Sequence, residues 1–324
     1  MRLQRLRLPS ILVCLIVISV TPGSGRSDPP VDASTDAGFV HELQGAVRGA
    51  IAQQALQGAS VGIAVIDVDS GRLLAAVNEH LALNPASNAK LYTAGAALAI
   101  LRGEHRYETT LSGKLDGDAV AGQLALRGYG DPSLTTSDLW ALVQEVKGYG
   151  VRRVEGDLVV DQRFYDEQTT PPAFDQQPDE WSGFRAPISS VALDENCVLL
   201  TVRPSRSGIG GPAHVEFDPP GFVDVDGSVR TAAPGTADNV ELALSGNASR
   251  MTAHLSGAIA ADSRLVRYTR RVDDPRLLAG YGLKALLERA EVKVSGDVKL
   301  GTAKGRVLAR HLSEPLSLLL YGLG

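Results

Sequence analysis

Ser87 and Lys90 stand three residues apart in Pro85-Ala86-Ser87-Asn88-Ala89-Lys90-Leu91, where an Ala/Leu-rich run begins. Residues at i and i+3 share one helix face, so Ser87 Oγ and Lys90 Nζ can meet. A serine hydroxyl is a poor nucleophile unless a base lies within hydrogen-bond reach. A desolvated lysine holds its proton less tightly and can be that base. The positive end of a helix adds potential that favours a developing anion at the serine. The chemistry indicated is acyl transfer through a serine ester. On spacing alone, a helix-capping serine followed by a solvated lysine fits the same letters. The setting favours chemistry: the step heads an apolar helix and follows a β-hairpin.

Several elements must position that pair. Phe39, Leu43, Val47, Ala50 and Leu56 fall near helical spacing and predict an amphipathic helix. Val61 to Asp67 and Arg72 to Val77 read as strands joined by the turn Asp69-Ser70-Gly71. The next helix runs from about Ser87 to Leu101. After Gly103 the pattern changes to strands at Tyr107 to Leu115 and Gln123 to Arg127, a helix from Thr135 to Lys147 capped by Thr136 or Ser137, and a strand at Val154 to Val160. Thr169 to Arg185 is irregular and rich in proline. Short strands follow at Val198 to Val202, His214 to Phe217, Phe222 to Val225, Val240 to Leu244 and Thr252 to Leu255. Asp274-Pro275 opens a helix to about Ala290 with proline at its first position, then comes a strand at Val292 to Leu300, and Pro315 begins another apolar helix. The expected organisation is an α/β (α+β) lobe from 37–102 and 273–324, interrupted by a β-rich lobe at 103–272.

Composition excludes several function classes. A net charge of -5 and 5% aromatic residues argue against nucleic-acid binding. Arg2, Arg5 and Arg7 precede the apolar run Ile11 to Val20, and Gly23-Ser24-Gly25 follows. That is the pattern of a signal peptide over 1–25, with a disordered lead-in over 26–36. The run is short for a membrane span, so an exported protein with no stable span after cleavage is expected, periplasmic or extracellular. Cys197 would then be the one remaining cysteine, in the apolar run Cys197-Val198-Leu199-Leu200, as a small buried hydrophobe. The six histidines are scattered without metal-ligand spacing, and no cofactor or metal is expected.

Gly62-Ile63-Ala64-Val65-Ile66-Asp67, Ser70-Gly71, Asn78 and Asn84-Pro85-Ala86-Ser87-Asn88-Ala89-Lys90-Leu91 together resemble the class C low-molecular-mass penicillin-binding proteins, the D-alanyl-D-alanine carboxypeptidase/endopeptidases. Gly130-Asp131-Pro132-Ser133-Leu134, Gly156-Asp157-Leu158-Val159-Val160-Asp161, Ala186-Pro187-Ile188-Ser189-Ser190-Val191 and Glu195-Asn196-Cys197-Val198 resemble the large insertion of the same family. The resemblance runs from about Phe39 to the chain end. It implies a transpeptidase/β-lactamase-like domain with a large β-rich insertion. It implies Ser87 as nucleophile and Lys90 as general base, acting on peptidoglycan stem peptides that end in D-Ala-D-Ala, with β-lactams acylating the same serine. It further implies that Asp179 and Phe184, five apart before Ala186-Pro187, contact a diaminopimelate side chain.

The sequence departs from the family pattern in two motifs. Lys-Thr-Gly is absent, and the letters Ser-x-Asn occur at Ser245-Gly246-Asn247, which reads as a hairpin turn between inserted strands. His311 to Gly324 resembles the approach to the second motif, so the sequence reads as C-terminally truncated and the chain as inactive. A non-catalytic module that binds cell-wall peptide is the alternative. A class A-type β-lactamase is disfavoured because the insertion after the first motif is too long.

Overall fold

The computed structural model describes residues 33–67, 70–172, 174, 179–247 and 249–322. The expected signal peptide lies outside them. The chain divides into two compact units, Met1–Ile100 and Leu101–Gly324.

The first unit holds the serine. Helix α1 (Ala33–Ile51) starts inside the segment expected to be disordered. Strands β1 (Ile63–Ile66) and β2 (Leu73–Val77) form the expected antiparallel hairpin. Asp67 Oδ1 accepts the N–H of Ser70 at 2.7 Å, and Gly71 N–H returns to the Asp67 carbonyl at 2.8 Å. Gln44 Nε2 donates to the Leu74 carbonyl at 3.2 Å and ties α1 to β2. Helix α2 (Ala89–Leu101) follows a single 3-10 turn, Ala86–Asn88. None of its side chains is buried, and Tyr92 and Ile100 are 80% and 76% exposed. A 13-residue helix with no buried face has little to hold it, because most helical stability in proteins comes from packing.

The second unit has a true core. Strands β3 (Glu108–Asp116) and β4 (Ala119–Gly128) pair antiparallel across the Asp116-Gly117-Asp118 turn. Helix α3 (Thr136–Gly148) then crosses to β5 (Arg153–Glu155) and β6 (Leu158–Asp161), both parallel to β4. The cap of α3 is Thr135, not Thr136 or Ser137. Its side chain accepts from the Asp138 N–H while the Asp138 carboxylate accepts from the Thr135 N–H, a reciprocal capping box.

Short strands build three further sheets. β7 (Cys197–Arg203), β8 (His214–Asp218) and β14 (Val266–Arg271) form one, in the order β14-β7-β8. β9 (Val223–Gly227), β11 (Glu241–Asn247) and β12 (Arg250–Ser256) form another, and β10 (Arg230–Ala232) pairs with β13 (Ala258–Ala260). Ser245-Gly246-Asn247 is the end of β11, in register with Thr252, Met251 and Arg250, rather than a turn.

Residues 273–324, grouped from the sequence with the serine-bearing lobe, fall in the second unit. Helix α4 (Leu278–Arg289) begins three residues after Pro275, because the Asp274 carboxylate first accepts the Arg276 N–H in a tight turn. Strands β15 (Lys293–Val294) and β16 (Val298–Leu300) add parallel to β5 and β6, and β17 (Arg306–Leu312) pairs antiparallel with β3. The chain then enters helix α5 (Leu316–Tyr321). The resulting seven-stranded sheet takes strands from both sides of the short-strand region.

The core lies where α3 and α4 meet that sheet. Leu139, Leu142, Val143 and Val146 of α3 and Leu278, Leu283, Leu286 and Leu287 of α4 are buried against Leu111, Leu124, Leu126, Leu158 and Val160. Each such side chain contributes roughly 1.5–3 kcal/mol on burial. Gly280 lets α4 approach: a Cβ there would stand 2.5 Å from Val298 Cγ1 and 2.6 Å from Val160 Cγ2. The architecture is the expected α/β (α+β) class. No helix among the described residues is long and apolar enough to cross a membrane.

Candidate active site

Lys90 Nζ donates to Ser87 Oγ at 3.0 Å. The local sequence explains how. Asn84 Oδ1 accepts the Ala86 N–H at 3.0 Å, and the Asn88 N–H returns to the Pro85 carbonyl at 2.9 Å. Those two bonds wind residues 86–88 into the 3-10 turn ahead of α2, so Ser87 sits in that turn rather than in the α-helix expected from the pattern. Ala86, just before the serine, has φ 45°. A non-glycine residue in the left-handed region carries strain, and such strain gathers at functional sites. The turn places Oγ at the amino end of α2, where the helix field favours negative charge. Both Ser87 and Lys90 are exposed.

In the second unit, Asp179 stands exposed in a turn and Phe184 lies in the 3-10 turn Gly183–Arg185, 80% exposed. Their segment is anchored by Arg271, which the sequence did not single out. Arg271 is 2% exposed. Its Nε donates to the Glu180 carbonyl at 2.8 Å, and its backbone N–H donates to the Trp181 carbonyl at 2.9 Å. Its guanidinium lies 4.6 Å from the Trp181 ring centroid and 4.9 Å from that of Phe174. Burial lowers its pKa, with the charge of Asp273 opposing. The Glu180 carboxylate accepts the Ser182 N–H at 2.9 Å, and its hydrogen bonds to Ser182 lower its pKa.

Cys197 is buried, as its apolar surroundings imply. Burial pushes its thiol up to about 11, helped by the charges of Glu195 and Asp194. A thiol held protonated is no nucleophile. Among the described residues, no group of three or more His, Cys, Asp and Glu is placed to hold a metal ion. Two further pairs escaped notice in the sequence. Asp161–Arg163 and Asp274–Arg276 are bidentate ion pairs built on two Asp-x-Arg steps, and that repeated step was their one legible signal.

Comparison with known proteins gives this geometry a family. The D-Ala-D-Ala carboxypeptidase 3 (S13) family matches residues 43–323. A D-alanyl-D-alanine carboxypeptidase of Actinomadura sp. (strain R39) is 32% identical over 322 residues, which covers 94% of this chain and 59% of that protein. The D-alanyl-D-alanine carboxypeptidase DacB of Haemophilus influenzae is 25% identical over 274 residues, covering 83% of this chain and 57% of that one. The chain therefore spans a little under three fifths of the length of these relatives. The crystal structure of penicillin binding protein 4 (dacB) from Haemophilus influenzae superposes with a TM-score of 0.63 at 25% identity, over 81% of this chain and 58% of that chain. The same protein complexed with a β-lactam matches with a TM-score of 0.56 at 23% identity, over 81% and 56% of the two chains. A match that runs from α1 through the serine turn to the last helix is far more specific than a two-residue spacing, and by it the chain belongs to the D-Ala-D-Ala carboxypeptidase 3 (S13) family, the class C penicillin-binding proteins that its motifs resemble.

Proposed function

We propose that the chain carries the nucleophilic half of a serine-type D-alanyl-D-alanine carboxypeptidase/endopeptidase acting on peptidoglycan stem peptides. The observation that carries this is the 3.0 Å contact between Lys90 Nζ and Ser87 Oγ at the head of α2, inside a chain of that family. Lys90 takes the proton of Ser87, and Oγ adds to the carbonyl carbon of the penultimate D-alanine. The C–N bond then breaks, D-alanine leaves with a proton, and water hydrolyses the serine ester. The backbone N–H of Ser87 supplies one donor to the oxyanion. β-Lactams acylate the same hydroxyl, by analogy with the β-lactam complex of the Haemophilus influenzae relative. The activity belongs outside the cytoplasm, in the periplasm or beyond it.

The 324-residue polypeptide by itself does not turn over. It contains no Lys-Thr-Gly, and its Ser-x-Asn letters lie in β11, paired along a strand. Asp179 and Phe184 are proposed to meet the diaminopimelate side chain, a carboxylate for its ammonium and a ring for its methylenes. Purified chain incubated with a stem pentapeptide is expected to give no steady release of D-alanine, and steady release refutes that part. Binding of stem peptide with no covalent labelling by a fluorescent penicillin would favour a non-catalytic peptide-binding module instead.

A further inference from the structure

Strands β6 and β16 run parallel and end side by side, with Val160 opposite Leu300. Beyond their carboxyl ends lies a cavity of 440 Å³, walled by Gln162 and Arg163 after one strand and by Gly301 and Thr302 after the other. The crevice outside the carboxyl ends of parallel strands is where open α/β sheets bind ligands. The volume suits a small molecule.

The polar groups of this cavity are fixed before any ligand arrives. Asp161 accepts from Arg163 Nε and Nη2 at 2.9 Å each, and Asp274 accepts from Arg276 Nε and Nη2 at 2.9 and 2.5 Å. The Asp161 side chain is wholly buried, and it also accepts the Ala303 N–H at 2.9 Å, which joins the loops after the two strands. Gln162 Oε1 accepts from Ser190 Oγ at 3.0 Å and from the Val191 N–H at 2.9 Å, while its Nε2 donates to the Arg276 carbonyl at 3.0 Å. Arg163 and Arg276 both line the cavity, and Nη1 of each lies outside its bidentate pair.

Charge selects the ligand class. Asp166 and Glu167 also line the cavity, so two guanidiniums face four carboxylates once Asp161 and Asp274 are counted. A lone anion meets guanidiniums already neutralised at contact and two further negative charges. An ammonium is drawn to Asp166 and Glu167, and a carboxylate on the same molecule can take the Nη1 donors. We propose that the cavity at the carboxyl ends of β6 and β16 binds a small zwitterion, a free amino acid or short peptide bearing both an ammonium and a carboxylate. The site is built within the second unit and does not depend on Ser87.

Isothermal titration of the full chain with diglycine tests this, beside N-acetylglycine, which lacks the ammonium, glycinamide, which lacks the carboxylate, and the neutral sugar N-acetylglucosamine. Diglycine is expected to bind saturably in the millimolar range, glycinamide more weakly, and N-acetylglycine and the sugar not at all. Arg276→Met and Glu167→Gln, both at solvent-accessible positions, are each expected to weaken diglycine about tenfold, with the unfolding midpoint held in Glu167→Gln. Ser87→Ala is expected to leave this binding intact. Absent diglycine binding, equal binding of N-acetylglycine or of the sugar, or diglycine binding indifferent to both cavity variants each overturns the proposal.

Discussion

Reach and dehydration are separate requirements at Ser87. The 3-10 turn and the first turn of α2 bring Lys90 Nζ to 3.0 Å from Oγ, yet both side chains are exposed. Desolvation lowers a lysine's hold on its proton, and an exposed Lys90 has little of it. Acylation by penicillin is accordingly expected to be slow. Lys90→Met is expected to slow it further by about 10²-fold or more, measured as the rate of covalent labelling. Cys197 makes a contrasting case. Its thiol, raised to about 11 by burial and by nearby carboxylates, is expected to resist alkylation at pH 8 until urea unfolds the chain, as read by mass spectrometry. The Ser-x-x-Lys step was legible because i and i+3 geometry is fixed by any helical turn. The role of Arg271 was not, because its partners Phe174 and Trp181 lie about ninety residues away in sequence.

Turn and cap residues marked where elements lie but misplaced their ends, as at α4, which begins three residues after Pro275. The β3–β4 hairpin closes through Asp116-Gly117-Asp118, and α3 begins at the Thr135 cap, ahead of the expected Thr136 or Ser137. Strand β14, Val266–Arg271, has three arginines in six residues, and β17, Arg306–Leu312, alternates poorly, so neither showed as a strand. Both are fixed by partners far along the chain, β7 and β3. The approach of α4 to the sheet gives a direct test. Gly280→Ala is expected to lower stability by roughly 1–3 kcal/mol in urea denaturation, because the new methyl meets Val160 and Val298. Asp161, at the end of β6, gives a pH test. Burial opposes its ionisation, but Arg163 and two backbone N–H groups overcome that and hold its pKa at about 2, below the ordinary 3.8. A depressed carboxylate stabilises the fold above its ordinary pKa, and that stability is lost as pH falls from about 4 through about 2. Asp161→Asn is expected to cost on the order of 2 kcal/mol at pH 7 and to flatten this acid limb.

At the scale of the whole molecule, the second unit has a continuous core while the first, among the described residues, contributes one buried apolar side chain, Ala75. The sequence grouped 273–324 with the serine because α4 and its flanking strands read as α/β. Pairing of β17 with β3 brings that segment into the sheet begun by β3 and β4. Such long-range pairing is invisible to a local pattern, whereas the ordered motifs from Gly62 to Val198 were enough to name the family. Whether Ser87 is the acylated nucleophile is tested most directly by mass spectrometry of the chain after incubation with a fluorescent penicillin. The expected result is slow labelling confined to the peptide that contains Ser87, and none in Ser87→Ala. Labelling that persists unchanged in Ser87→Ala, or a folded chain that never acquires label at Ser87, would contradict it.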